Sequence, residues 1–100
     1  MTPLIYAPEA LDDIQEILAF LEQQDVKLVD KFEADYRKAV QGVRDFPRAW
    51  PKVGGRVRVK IVSKRFRYGI YYIYAKRIVY VGAVIQLTRH PVRWKNRCRD

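Results

Sequence analysis

Residues 57–87 read VRVKIVSKRFRYGIYYIYAKRIVYVGAVIQL, and this stretch decides the fold because it predicts three successive β-strands. In the first strand, Val57 to Ile61, apolar residues alternate with cationic ones, which is the period of a half-buried strand. The second strand runs from Phe66 to Tyr74 and is rich in aromatic residues, and the third runs from Ile78 to Leu87. Short connections such as Ala75-Lys76-Arg77 predict that the three strands form an antiparallel meander.

The alternation also predicts which face of the sheet each side chain occupies. The odd positions of the third strand are apolar and small enough to face a layer of helices; they are Val79, Val81, Ala83 and Ile85. The remaining positions of the first and third strands are expected to share the opposite, exposed face: Arg58, Lys60, Tyr80 and Gln86. At the rim of this face we expect Lys52 and Arg56 from the preceding loop and Arg89 from the segment after the third strand.

The N-terminal half predicts one short strand and two helices. Leu4-Ile5-Tyr6 is the strand, and Pro8 stands where a first helix would begin. The apolar residues of that helix recur every three or four positions: Leu11, Ile14, Ile17, Leu18 and Leu21. Asp25 is a candidate cap for a second helix that ends near Phe46-Pro47, and so short a joint predicts an antiparallel helical hairpin. Residues 46–56 are rich in Pro and Gly and predict a loop. The sequence therefore predicts one α+β domain over residues 1–100, with the helices on one face of the sheet.

The charge is distributed unevenly along the chain. Residues 1–45 carry five Lys/Arg against ten Asp/Glu, whereas residues 46–100 carry fifteen Lys/Arg against one acid. The net charges of −5 and +14 indicate two surfaces of opposite sign, and the basic surface favours a polyanion through counterion release. An acidic protein segment is the alternative partner for the basic surface.

Several function classes are not favoured by the composition. The chain lacks a run of the roughly 20 apolar residues that a membrane helix requires, and its N-terminus does not resemble a signal peptide. A single Cys and a single His give no spacing typical of a metal site, and the lone Cys suits a reducing compartment. We therefore expect a soluble cytoplasmic domain without a metal or cofactor.

The last strand and the tail resemble the RelE/ParE superfamily of bacterial toxin–antitoxin toxins, in particular its plasmid-stabilisation members. The tail reads QLTRHPVRWKNR over residues 86–97, and five of its residues fall on positions that match the family pattern: Arg89, Pro91, Trp94, Lys95 and Arg97. Residues 66–72 look like the second strand of the family meander, residues 57–59 like its basic strand, and residues 6–14 like the entry to its first helix. The resemblance spans the whole chain.

The resemblance implies a growth-arresting toxin that a cognate antitoxin holds inactive in a hetero-oligomer. RelE-like members cleave mRNA on the ribosome, and ParE-like members poison DNA gyrase. This chain departs from the pattern at Gln86, where many members carry His. Because Gln cannot exchange a proton near neutral pH, the departure favours a ParE-like or divergent member over a nuclease. A third hypothesis is an inactive basic domain that only engages an acidic antitoxin segment.

The candidate site residues follow from these alternatives. If the protein is a metal-independent endoribonuclease, Arg58 and Arg89 match arginines of the family that stabilise the phosphate. The other candidates would bind substrate or antitoxin: Lys52, Arg56, Lys60, Tyr80 and Gln86. The tail adds three further residues: His90, which we expect at the surface or in packing; Trp94, expected to anchor the tail on the sheet; and Cys98, expected to be a frayed terminal thiol.

Overall fold

In the computed structural model the chain is described for residues 1–87 and 92–98, the side chains of residues 92, 93 and 96 excepted. These residues form an α+β fold with the following elements in chain order: β1 (Leu4–Tyr6), α1 (Pro8–Gln24), α2 (Val26–Asp45), β2 (Lys52–Gly54), β3 (Val57–Ile61), β4 (Tyr68–Ala75), β5 (Ile78–Gln86) and α3 (Val92–Arg97). The predicted N-terminal strand, the two helices and the meander are therefore confirmed. The loop predicted over residues 46–56 is corrected, because it contains β2.

The two long helices are joined through the single residue Asp25, as the sequence predicts. Its backbone is extended, and its side chain accepts a hydrogen bond from the amide of Lys27 at 3.0 Å, which caps α2. The far end of α2 returns to the chain start, where Arg44 donates to the carbonyl of Thr2 at 2.8 Å. The helices therefore run antiparallel.

The buried stripe of α1 differs in part from the predicted one. Ala10 and Asp13 lie in it together with Ile17, whereas Leu11, which the periodicity places in the stripe, is 49% exposed. The buried positions still recur every three or four residues, so the helix is amphipathic as predicted but rotated toward its acidic residue.

The five strands form one sheet in the order β1-β5-β4-β3-β2. β2, β3, β4 and β5 pair antiparallel, which is the predicted meander extended by one edge strand. β1 pairs parallel to β5, with Ile5 opposite Tyr80. The sheet is therefore mixed. Its parallel pair arises because α1 and α2, together with the meander, separate β1 from β5 in the chain.

A β-bulge reverses the facing of β5 halfway along its length. Tyr72 pairs with Val81 and Tyr71 pairs with Ala83, so Gly82 is an extra residue on β5. Before the bulge, Val79 and Val81 face the helices, as predicted. After it, Val84 faces the helices, and the prediction that Ala83 and Ile85 do so is wrong.

Two apolar cores lie on the two sides of the sheet. The larger core is between α1, α2 and the sheet and contains Phe32, Ile70 and Tyr72. The smaller core is between the sheet and α3 and contains Val57, Tyr71, Ile73, Ala83, Ile85, Trp94 and Cys98. Helices thus lie against both faces, and the predicted layer of helices on one face is only part of the packing.

In the described part of the chain, no helix is long and apolar enough to cross a membrane.

Candidate functional site

The predicted cations of β3 lie on the side of the sheet that carries α1 and α2. Arg58 is paired with Tyr72 and Lys60 with Ile70, and both of these partners belong to the larger core. The intervening Val59 faces the opposite side, with the smaller core. The expectation that Arg58 and Lys60 project away from the helices is therefore wrong. The physical reason is that the valines of β3 are buried by the tail helix rather than by α1 and α2.

Trp50 holds these two cations at the edge of the sheet. Its indole N–H donates to the carbonyl of Gly42 in α2 at 3.1 Å. Its own carbonyl accepts a hydrogen bond from the guanidinium of Arg58 at 2.8 Å, and the Nζ of Lys60 lies 4.1 Å from the centre of its ring. The loop before β2 thus fixes Arg58 and Lys60 through a carbonyl and an aromatic ring.

Two more cations extend this group. Lys52 of β2 is exposed and directly opposite Arg58 in the register of the two strands, so their side chains share one face. Arg48 lies in the loop after α2, where its guanidinium is 5.5 Å from the centre of the Tyr74 ring. We call Arg48, Lys52, Arg58 and Lys60 the basic edge. Arg56, exposed between β2 and β3, is its neighbour along the chain.

The hydroxyl of Tyr72, close to Arg58, is not a base near neutral pH. It donates to the carbonyl of Pro47 at 2.7 Å. Burial raises the pKa of Tyr72 to about 12, although the charge of Arg58 acts in the opposite direction. The basic edge therefore offers positive charge and hydrogen-bond donors, and its tyrosine stays protonated.

Tyr80 is on the opposite face of the sheet from the basic edge. It is 39% exposed and lies beside Ile5 of β1 and Ile73 of β4. These three residues line a groove of about 360 Å³, which Arg97 and Cys98 also line. The prediction that Tyr80 shares a face with Arg58 and Lys60 is wrong.

Gln86 is on the face of the sheet that carries α1 and α2. It lies on β5, however, and β4 separates it from β3 and the basic edge. It pairs with Tyr68 and lines a cleft of about 210 Å³ between α1 and β5. The cleft also contains Glu16 and the half-exposed Phe20. The predicted grouping of Gln86 with Tyr80 fails because the bulge at Gly82 reverses the facing of β5 after that residue.

Asp13 is a buried carboxylate that the sequence-based site did not include. One of its oxygens accepts from the amide of Val84 at 3.0 Å, and the other accepts from the guanidinium of Arg97 at 2.8 Å. The hydrogen bond to Asp13 raises the pKa of Arg97. Asp13 occurs three residues after Ala10 and four before Ile17 in the buried stripe of α1, and this spacing is the signal that identifies it.

The tail helix is fixed to the sheet by Trp94 and Cys98. The Trp94 ring stacks on Tyr71 with 5.6 Å between the ring centres, which confirms the predicted anchoring role. Cys98 is buried, its Sγ lies 3.6 Å from the carbonyl of Tyr71, and burial raises the pKa of its thiol to about 11. The prediction of a frayed thiol is therefore wrong. A Cβ on Gly82 would overlap the Sγ of Cys98, so the bulge glycine leaves room for α3.

Arg89 and His90, the remaining candidates of the tail, lie outside the described residues. Within residues 1–87 and 92–98, no three His, Cys, Asp or Glu side chains are grouped so that they could hold a metal ion. Trp50 and Arg48 were missed by the sequence reasoning because they lie in a Pro-rich loop without periodicity. The signal for Trp50 is that a large aromatic residue in such a loop usually packs against a neighbouring element.

Comparisons of the sequence with models of protein families and with curated proteins find no match.

Proposed function

We propose that the protein is the toxin of a bacterial type II toxin–antitoxin pair, which arrests growth by binding a macromolecular target, with DNA gyrase favoured over ribosome-bound mRNA. The resemblance of the chain to the RelE/ParE superfamily supports the toxin class. So does the order of β1, α1, α2 and the meander, which is the layout that the resemblance implies. In this proposal the protein acts in the cytoplasm, and an acidic antitoxin segment neutralises it in a hetero-oligomer.

One observation carries the choice of binding over cleavage: the described candidates lie in three separate places, with the cations Lys52, Arg58 and Lys60 in the basic edge and Tyr80 and Gln86 away from it. Arg58 and Lys60 are engaged with Trp50 on the helix side, whereas Tyr80 lies on the opposite face. Gln86 lines a separate cleft beside α1 and cannot exchange a proton near neutral pH. Ribonucleolytic transfer requires a base, an acid and a phosphate clamp around a single phosphate.

The test is expression of the protein from a tightly repressed promoter, followed by two assays. We expect growth arrest, inhibition of DNA supercoiling by purified gyrase when the protein is added, and intact cellular mRNA by primer extension. Codon-spaced cuts in translated mRNA would instead support the ribosome-dependent nuclease and would contradict this proposal. In that case Arg58→Ala and Arg89→Ala should abolish cutting.

A third outcome separates the toxin class from the inactive alternative. If expression leaves growth unchanged and gyrase retains full activity, the protein is a basic binding domain without toxicity. The folded state of the expressed protein is checked by circular dichroism, so that an unfolded product is not mistaken for an inactive one.

A further inference from the structure

The basic edge has the geometry of a surface that tracks a polyanion. We propose that Arg48, Lys52, Arg58 and Lys60 bind the phosphodiester backbone of a nucleic-acid duplex without reading its sequence. This inference does not rest on the toxin function proposed above, because it concerns only what these four side chains contact.

Three of the four cations lie close together on one face of two paired strands. Lys52 and Arg58 are opposite each other across β2 and β3, and Lys60 follows Arg58 by two residues on the same face. A strand rises about 3.3 Å per residue, so the Cα atoms of Arg58 and Lys60 are roughly 7 Å apart along β3. Arg48 extends the group toward Tyr74 of β4. Cations spaced in this way along and across two strands can contact several neighbouring phosphates of one polyanion.

Uncharged groups hold two cations of the basic edge in place. Arg58 and Lys60 are fixed by the carbonyl and the ring of Trp50, which are uncharged. Among residues 1–87 and 92–98, no carboxylate lies within 4 Å of a cationic group of the basic edge. Elsewhere in the same fold Arg65 pairs with Asp35 and Arg97 with Asp13. Within the described residues, the basic edge therefore carries positive charge that no carboxylate offsets at short range, and this charge attracts an anionic partner.

The pairing of Lys52 with Arg58 opposes folding, and the binding of an anionic partner would explain why both cations are present. Like charges directly opposite each other on neighbouring strands are destabilising, and Lys52 and Arg58 are such a pair. Packing does not demand Lys52, which is exposed at the edge of the sheet. A bound phosphate between the two side chains would turn this repulsion into attraction.

Two features favour a duplex backbone over single-stranded bases or an acidic peptide. Lys60 covers a face of the Trp50 ring, and Gly42 accepts its N–H, so the indole supports the cations and is not presented as a platform for stacked bases. A duplex also presents about one charge per 1.7 Å of its axis, so a group of closely spaced cations contacts several of its phosphates at once.

The test is fluorescence anisotropy of a labelled 20-base-pair DNA of random sequence, titrated with the full chain between about 50 and 200 mM KCl. The double variant Arg48→Gln/Lys52→Gln should lose more than tenfold in affinity. The slope of log affinity against log salt should also become shallower by about 1.8, because each lost phosphate contact removes about 0.9. The matched control is Lys27→Gln/Lys31→Gln, which removes the same charge from the exposed start of α2 and should bind nearly as the unaltered chain does.

Two results would overturn the proposal. One is an equal loss of affinity in both double variants, since the effect would then follow net charge and not the basic edge. The other is displacement of the DNA by poly-glutamate at equal charge concentration, which would assign the surface to an acidic peptide. A chain that fails to arrest growth but shows the predicted difference in salt slope would retain this inference and lose only the proposed toxin function.

Discussion

Asp13 shows how a single carboxylate can complete the packing of three elements. β1 ends beside Val81, so among the described residues the edge of β5 beyond the bulge has no neighbouring strand, and the carboxylate of Asp13 in α1 accepts a hydrogen bond from the amide of Val84 there. The same carboxylate binds Arg97 of α3 from the other side of the sheet. The side chain of Asp13 is 6% exposed, so both interactions are largely shielded from water.

Replacement of Asp13 should therefore be costly. Breaking a buried ion pair destabilises by about 3 kcal/mol, so we expect Asp13→Ala to lower the free energy of unfolding by roughly that amount. Asp13→Asn should cost less, because its side-chain carbonyl still accepts from Val84. The measurement is urea unfolding. Asp12→Asn is the control, since Asp12 is exposed on the same helix. Equal stability of the two Asn variants would contradict the role assigned to Asp13.

The thiol of Cys98 should be unreactive in the folded protein. Burial raises its pKa from 9.0 to about 11, so below pH 9 the folded chain contains about a hundredfold less thiolate than the unfolded chain. Alkylation by iodoacetamide at about pH 8 should be slower in the native state by at least that factor than in urea. Equal rates in the two states would contradict the burial of Cys98.

The raised pKa of Cys98 also predicts how the free energy of unfolding changes with pH. Because the pKa is raised in the folded state, the contribution of the neutral thiol is complete below pH 9 and is lost as the pH rises from 9 toward 11. Cys98→Ala should lack this part of the alkaline decline in urea-unfolding experiments.

At the scale of elements, the β4–β5 turn contains backbone strain. Lys76 and Arg77 have φ values of 52° and 64°, a left-handed conformation that side chains with a Cβ disfavour. The pair Asn-Gly suits such two-residue turns, so Lys76→Asn/Arg77→Gly should raise the free energy of unfolding by about 1 kcal/mol. Lys76→Ala/Arg77→Ala removes the same charges but keeps the strain. If Lys76→Ala/Arg77→Ala raises the free energy of unfolding by the same amount, charge repulsion and not backbone conformation is the cause of the stabilisation.

The elements were predictable to the extent that their patterns are periodic. The strands β3 and β5 follow from alternation, β4 follows from its aromatic residues, and the cap at Asp25 follows from the preference of Asp for the start of a helix. Gly82 illustrates what the sequence does not show. This inserted residue leaves the apolar pattern of β5 intact, but it reverses the face of the sheet on which the following residues lie. The three-residue strand β2 is too short for a period, so its Pro- and Gly-containing surroundings predict a loop.

The candidate site was predictable in composition but not in arrangement. Arg58 and Lys60 were identified by alternation with valines, yet their face depends on which helix buries those valines. β4 is apolar on both of its faces, with Ile70 and Tyr72 in one core and Tyr71 and Ile73 in the other. Periodicity therefore cannot decide on which side of the sheet α1 and α2 pack, because α3 packs on an apolar face of the same strand.

At the scale of the whole molecule, charge separates from one sheet edge to the other. α1 carries five acids and no Lys or Arg, and it packs on β5 near one edge. The basic edge lies on β2 and β3 at the other end of the strand order. The sequence predicts acidic and basic surfaces on opposite faces of the sheet. The structure instead places the acidic α1 and the basic edge near opposite edges of the sheet, because Arg58 and Lys60 are on the same face as α1.

This concentration of like charge should make stability and binding respond in opposite directions to the same substitution. Lys52→Gln removes the repulsion between Lys52 and Arg58, so it should raise the free energy of unfolding by about 0.2–1 kcal/mol at low salt. At about 1 M salt, where the screening length is only about 3 Å, the gain should vanish. Urea unfolding at the two salt concentrations measures the effect, and Lys31→Gln on α2 is the control for net charge. A Lys52→Gln gain that persists at high salt would show that the lysine destabilises through its conformation. A gain in the free energy of unfolding that is confined to low salt, together with weaker DNA binding, would mean that Lys52 lowers the stability of the fold and strengthens the attraction for an anionic partner.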